Sequence, residues 1–76
     1  MSYRIHTLRL ECSVFWVEAR YTRINGRWIA SIDTPGGPTL GYGPSAFTAL
    51  WMALEPFEGL VDELLASAPT HVVGDY

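Results

Sequence analysis

Asn25-Gly26 restricts the fold of this chain more than any other dipeptide in it. It separates two runs rich in apolar and β-branched residues within residues 14–35, VFWVEARYTRINGRWIASIDTP. A two-residue type I′ hairpin loop needs positive φ at both central positions, which Asn and Gly accept most easily. Counting outward from such a loop predicts Arg23 opposite Trp28, Tyr21 opposite Ala30 and Ala19 opposite Ile32. One face then carries Val17, Ala19, Tyr21, Trp28, Ala30 and Ile32. The other carries Glu18, Arg20, Thr22, Ile29, Ser31 and Asp33. A slip of one residue would exchange the two faces, so burial of the apolar side pins the register.

Alternation over residues 3–10 predicts a preceding strand that turns back near Cys12-Ser13. A two-residue turn there would set Leu8 opposite Val17 and Leu10 opposite Phe15, on the same apolar face. Arg9 would then lie beside Trp16 and Ile5 beside Arg20 on the outer face, with His6 near Ala19 as a packed histidine. Pro35-Gly36-Gly37-Pro38 is expected to end the third strand, since neither residue type sustains a central ladder. Residues 39–43, TLGYG, then read as an extended or looped passage. Its Gly-x-Gly lacks the Lys-Ser/Thr of a phosphate loop and the downstream acid of a dinucleotide site.

Gly43-Pro44-Ser45 marks a helix start, with Pro in the first turn or Ser45 as N-cap. Apolar residues recur at 46, 50, 53/54, 57, 60/61, 64/65 and 68, the period of an amphipathic helix. Pro56 removes a backbone donor and clashes with the turn before it. A kinked helix or two short helices follow, and the break at Glu55-Pro56 is the favoured reading. Trp51 and Met52 fall outside the stripe. The tail 70–76 is expected to add a short edge strand over 71–73 or to stay loose.

A chain of 76 residues is expected to make a single small domain, 1–76, with little stability to spare. Cys12 is the only cysteine, so no internal disulfide supplies the difference, and a reducing cytoplasm is expected. Neither histidine stands at a recognised zinc-ligand spacing, so no metal site is expected. Hydrophobic residues make up 49% and charged residues only 17%, a balance that calls for a covering partner or a second copy. The net charge is −3, and all five basic residues are arginine without a basic run, which argues against nucleic acid. The longest apolar run is roughly half the ~20 residues a spanning helix needs, and no signal peptide is visible.

Glu18 and Asp33 fall opposite each other on the polar face, where paired carboxylates could share a proton. Arg20 and Arg9 lie near enough to offset them as ordinary solvated charges, and that reading is preferred. Ser45 and Ser67 have no base in a recognisable arrangement, and Cys12 has only Arg9 nearby in sequence. Arg23 across from Trp28 reads as a cation–π contact. No catalytic, cofactor-binding or metal residue is assigned.

Residues 21–54, with GRWIASID and LGYGPSAFTALWMAL, resemble the HicB-type antitoxin domain. The matching positions are Gly26, Trp28, Ala30, Pro35, Gly41, Gly43, Ser45, Ala49 and Leu50. The resemblance implies a partial ribonuclease-H-like layer of sheet and helix, self-association, and neutralisation of a small RNA-cleaving toxin by covering it. The same segment is also similar to the second half of a double-stranded-RNA-binding domain, where lysines follow the serine. Here Ala46 and Phe47 stand in those places.

The expected fold is therefore α+β: a three-stranded antiparallel meander with a C-terminal helix, kinked or split at Pro56, packed on one face. The expected role is a non-catalytic interaction module, antitoxin-like or regulatory, binding a protein partner and forming a homodimer or larger assembly. Its interface residues would be Ile5, Trp16 and Ile29 from the outer sheet face, or Trp51 and Met52 from the helix. The alternative is a weak RNA- or DNA-binding domain of degenerate double-stranded-RNA-binding topology.

Overall fold

The computed structural model describes residues 4–68. Four antiparallel strands, β1 (His6–Glu11), β2 (Trp16–Ile24), β3 (Arg27–Thr34) and β4 (Gly37–Gly43), form one sheet in the order β1-β2-β3-β4. Two short helices follow, α1 (Ala46–Ala53) and α2 (Val61–Ala66), joined through a 3₁₀ turn at Glu55–Phe57. The α+β class is as expected, but the sheet has one strand more. The residues 71–73 suggested as an edge strand lie outside the described residues.

The central hairpin forms in the expected register, with Arg23 opposite Trp28, Tyr21 opposite Ala30 and Ala19 opposite Ile32. Asn25 and Gly26 both hold positive φ, +52° and +79°, as a tight primed turn requires.

The β1–β2 connection is longer than expected. Glu11 pairs with Trp16, leaving Cys12–Phe15 as the loop, closed by the Cys12 amide donating to the Phe15 carbonyl at 2.9 Å. Leu8 therefore faces Ala19, Leu10 faces Val17 and His6 faces Tyr21, whose ring it stacks on at 5.0 Å. The displacement is two residues, one full pleat repeat, so each side chain keeps its face although its partner changes.

The fourth strand arises where the Pro/Gly cluster was expected to stop the sheet. Pro35-Gly36 makes a tight turn and Gly37 takes φ +114°, so Thr34 pairs with Gly37 and the ladder runs on to Trp28 opposite Gly43. Thr34 Oγ1 holds the turn, accepting from the Gly36 amide and donating to the Gly37 carbonyl. Pro38 sits on an edge strand, where a missing donor is tolerated.

α1 lies on β4 and β3, and α2 reaches β1. Close approach of α1 depends on small residues. A Cβ added at Gly41 would stand 2.2 Å from the Ala49 carbonyl oxygen and 2.5 Å from the Ala53 nitrogen. One added at Gly43 would meet the Thr48 side chain at 2.6 Å. The Gly-x-Gly pair is thus the seat of a helix. Thr39 Oγ1 ties the end of α1 to β4 by donating to the Ala53 carbonyl at 2.7 Å.

Ser45 is the N-cap, extended at φ −141°, with its hydroxyl accepting the Thr48 amide at 3.1 Å. The helix breaks at Pro56, which falls inside the 3₁₀ turn. The apolar stripe stays in phase across that break. Leu50, Leu54 and Leu64 are fully buried with Leu10 and Ile32 in one continuous core. Burial of each such side chain stabilises the fold by about 1.5–3 kcal/mol before entropy is counted.

Candidate functional site

Among the described residues, helices cover one face of the sheet only. On the open face the register sets Thr22, Ile29 and Tyr42 in one cross-strand row and Thr7, Arg20, Ser31 and Leu40 in the next. Leu40 is 68% exposed and Tyr42 57%, with Ile5 and Trp16 also more than half exposed. Ile29, between Thr22 and Tyr42, is half-buried. Ile5 and Ile29 border a shallow depression of about 220 Å³ floored by the β2 and β3 backbone.

Of the five expected interface residues, Ile5 and Ile29 lie near Tyr42 and Leu40 on this face, and Trp16 lies at its other end, beyond Arg20, Glu18 and Asp33. Trp51 (54% exposed) and Met52 lie on the helical layer, behind the sheet. The two groups are separate surfaces. Leu40 and Tyr42 were not anticipated. Their signal is the alternation Leu40-Gly41-Tyr42-Gly43, glycine inward and bulky side chain outward, the period of a strand with its small residues under a helix.

The charges at the middle of the open face pair with one another. Arg20 lies between the two carboxylates: Nη2 bonds Asp33 Oδ2, and Nε stands 3.9 Å from Glu18 Oε1. These groups are about half exposed, so the cluster contributes no more than about 1 kcal/mol. Arg9 lies beside Trp16 as expected, but its carboxylate is Glu11 and not Glu18 or Asp33. It pairs with Glu11 at 3.2 Å and lies over the Trp16 ring at 4.4 Å from the centroid. The expected cation–π pair of Arg23 and Trp28 is not formed. Trp28 turns its ring toward Tyr21 (5.9 Å) and His6 (6.4 Å), because all three project onto the helix side of the sheet.

Polar contacts elsewhere fasten α2 to the β1–β2 loop. The Glu11 amide donates to Ser67 Oγ at 2.8 Å and the Ser13 amide to Glu63 Oε1 at 2.6 Å. Ser67 Oγ in turn donates to the Leu64 carbonyl, and Ser45 Oγ is engaged at the cap. Cys12 is half-buried in its loop. Among the described residues no three His, Cys, Asp or Glu side chains converge as metal ligands, and no buried side-chain polar atom lacks a partner. None of the described helices is long and apolar enough to cross a membrane.

No family model, curated protein or solved structure matches this chain.

Proposed function

We propose that this chain is a small protein-interaction module, antitoxin-like or regulatory, that acts by covering protein surface and not by catalysis. The observation that carries the reading is the open sheet face. A two-layer domain that leaves Ile5, Trp16, Leu40 and Tyr42 more than half exposed on one side invites a third layer. Aromatic side chains amid short polar ones, with Arg9 and Arg20 paired to carboxylates, have the makeup of an interface core with a polar rim. The reading takes a second copy as the cover for this face, which makes the working form a homodimer or larger assembly. The resemblance of residues 21–54 to HicB-type domains suggests a small toxin as one foreign partner, bound elsewhere on the surface. The lone thiol suits a reducing cytoplasm.

Light scattering over a concentration series tests this reading. The wild-type mass is expected to rise above the 8.5 kDa of one chain, and Trp16→Glu is expected to hold it there by placing a charge in the apolar contact. A wild-type mass fixed at one chain would overturn the assembly. Steeply salt-dependent binding to RNA would overturn the protein-interaction reading itself.

A further inference from the structure

The helical layer and the sheet differ in charge. The five arginines are Arg4, Arg9, Arg20, Arg23 and Arg27, so all of them precede the third strand's tryptophan. Residues 46–68 hold Glu55, Glu58, Asp62 and Glu63 and no basic residue. The ion pairs among the described residues, Arg9–Glu11, Arg20–Glu18 and Arg20–Asp33, all lie on the sheet. Glu55, Glu58 and Asp62 take part in none of them.

Between α1 and α2 lies a groove of about 420 Å³, lined by Trp51, Met52, Glu55, Glu58, Gly59 and Val61. The sequence makes it by breaking the helix. Pro56 cannot continue an α-helical ladder, and Gly59 at φ +89° turns the chain through a conformation other residues resist. α2 therefore starts in a new direction, and Trp51 and Met52 are left uncovered beside Val61. Apolar walls with an unpaired carboxylate rim are complementary to one kind of surface.

We propose that this groove receives a basic amphipathic helix of a protein partner. Its apolar side chains, spaced i and i+3 or i+4, would enter between Trp51, Met52 and Val61, and its Lys or Arg residues would meet Glu55 and Glu58. A second copy cannot pack here helical layer to helical layer, because both layers carry the same negative charge and like charges repel across an interface. Nucleic acid is excluded from it by the same rim. The inference rests on the interaction-module reading and adds the chemistry of the foreign partner.

The test is a fluorescence-anisotropy titration of the whole chain against two synthetic helical peptides about 18 residues long, roughly five turns. Both carry leucine at the same positions, one with lysine and the other with glutamate elsewhere. The lysine peptide should bind at least about tenfold tighter than the glutamate peptide. Glu55→Gln with Glu58→Gln should narrow that preference to about twofold, and Trp51→Ser should weaken the lysine peptide about tenfold. Trp16→Ser, on the open face, should leave it unchanged. Trp51, Glu55 and Glu58 are exposed, so the variants should keep the wild-type circular dichroism and urea midpoint.

Equal binding of the two peptides, no binding of either, or indifference to the Trp51 and Glu55/Glu58 changes would overturn the groove assignment. Binding lost in Trp16→Ser but kept in Trp51→Ser would overturn it too, while leaving the interaction-module reading in place. That reading fails separately, through steeply salt-dependent binding to RNA.

Discussion

On the helix side of the sheet, Leu10, Ala19, Ala30 and Ile32 are at or near zero exposure, while Trp16, Leu40 and Tyr42 on the other side stand more than half exposed. Both faces are supplied by the same strands in the same registers. What separates them is the size of the residues and the layer each size admits. Gly41, Gly43, Ala46, Ala49 and Ala53 let α1 approach β4 almost backbone to backbone. The open face carries bulky side chains and, among the described residues, no second layer. Small residues thus mark where the chain covers itself, and the exposed large ones mark the face on which the proposed partner would sit.

Adjacent residues of β4 give the sharpest way to break this comparison. Gly41→Val would push a side chain into the α1 backbone, where no rotamer relieves the overlap, and should cost about 3 kcal/mol or more in urea unfolding. Loss of less than about 1 kcal/mol would mean that the helix does not rest on this glycine. Ser45→Ala removes the cap that starts α1 over that strand and should cost about 1 kcal/mol, read as a lower urea midpoint with unchanged slope. Leu40→Thr, one residue from Gly41 but on the other face, should change the stability of the dilute protein by no more than about 0.5 kcal/mol. A larger loss would show that the open face is already covered within one chain.

The central hairpin was legible because its two determinants agree: Asn25-Gly26 dictates the turn, and the apolar alternation dictates which face is buried. The helix start at Ser45 and the break at Pro56 were legible for the same reason, since capping and proline chemistry act locally. The β1–β2 register was not, because Cys12-Ser13 carries no turn type strong enough to fix loop length. Only the pleat repeat kept Leu8 and Leu10 on the correct face. The fourth strand was hidden by reading Pro35–Pro38 as a terminator, when at a sheet edge the same residues make a turn and a tolerated gap. The surface was legible in part. Exposure of Trp51 and Met52 followed from helical phase, whereas Leu40 and Tyr42 needed β4 to exist before they could have a face.

The account turns on whether the open face is covered by another copy of the chain. With Cys12→Ser as background, a single thiol placed at Leu40→Cys reports that face directly through its rate of labelling by a water-soluble disulfide reagent. The rate should match that of a free thiol in dilute protein and fall by about tenfold or more as concentration rises and copies associate. A rate that stays fast and unchanged over the whole series would contradict the account.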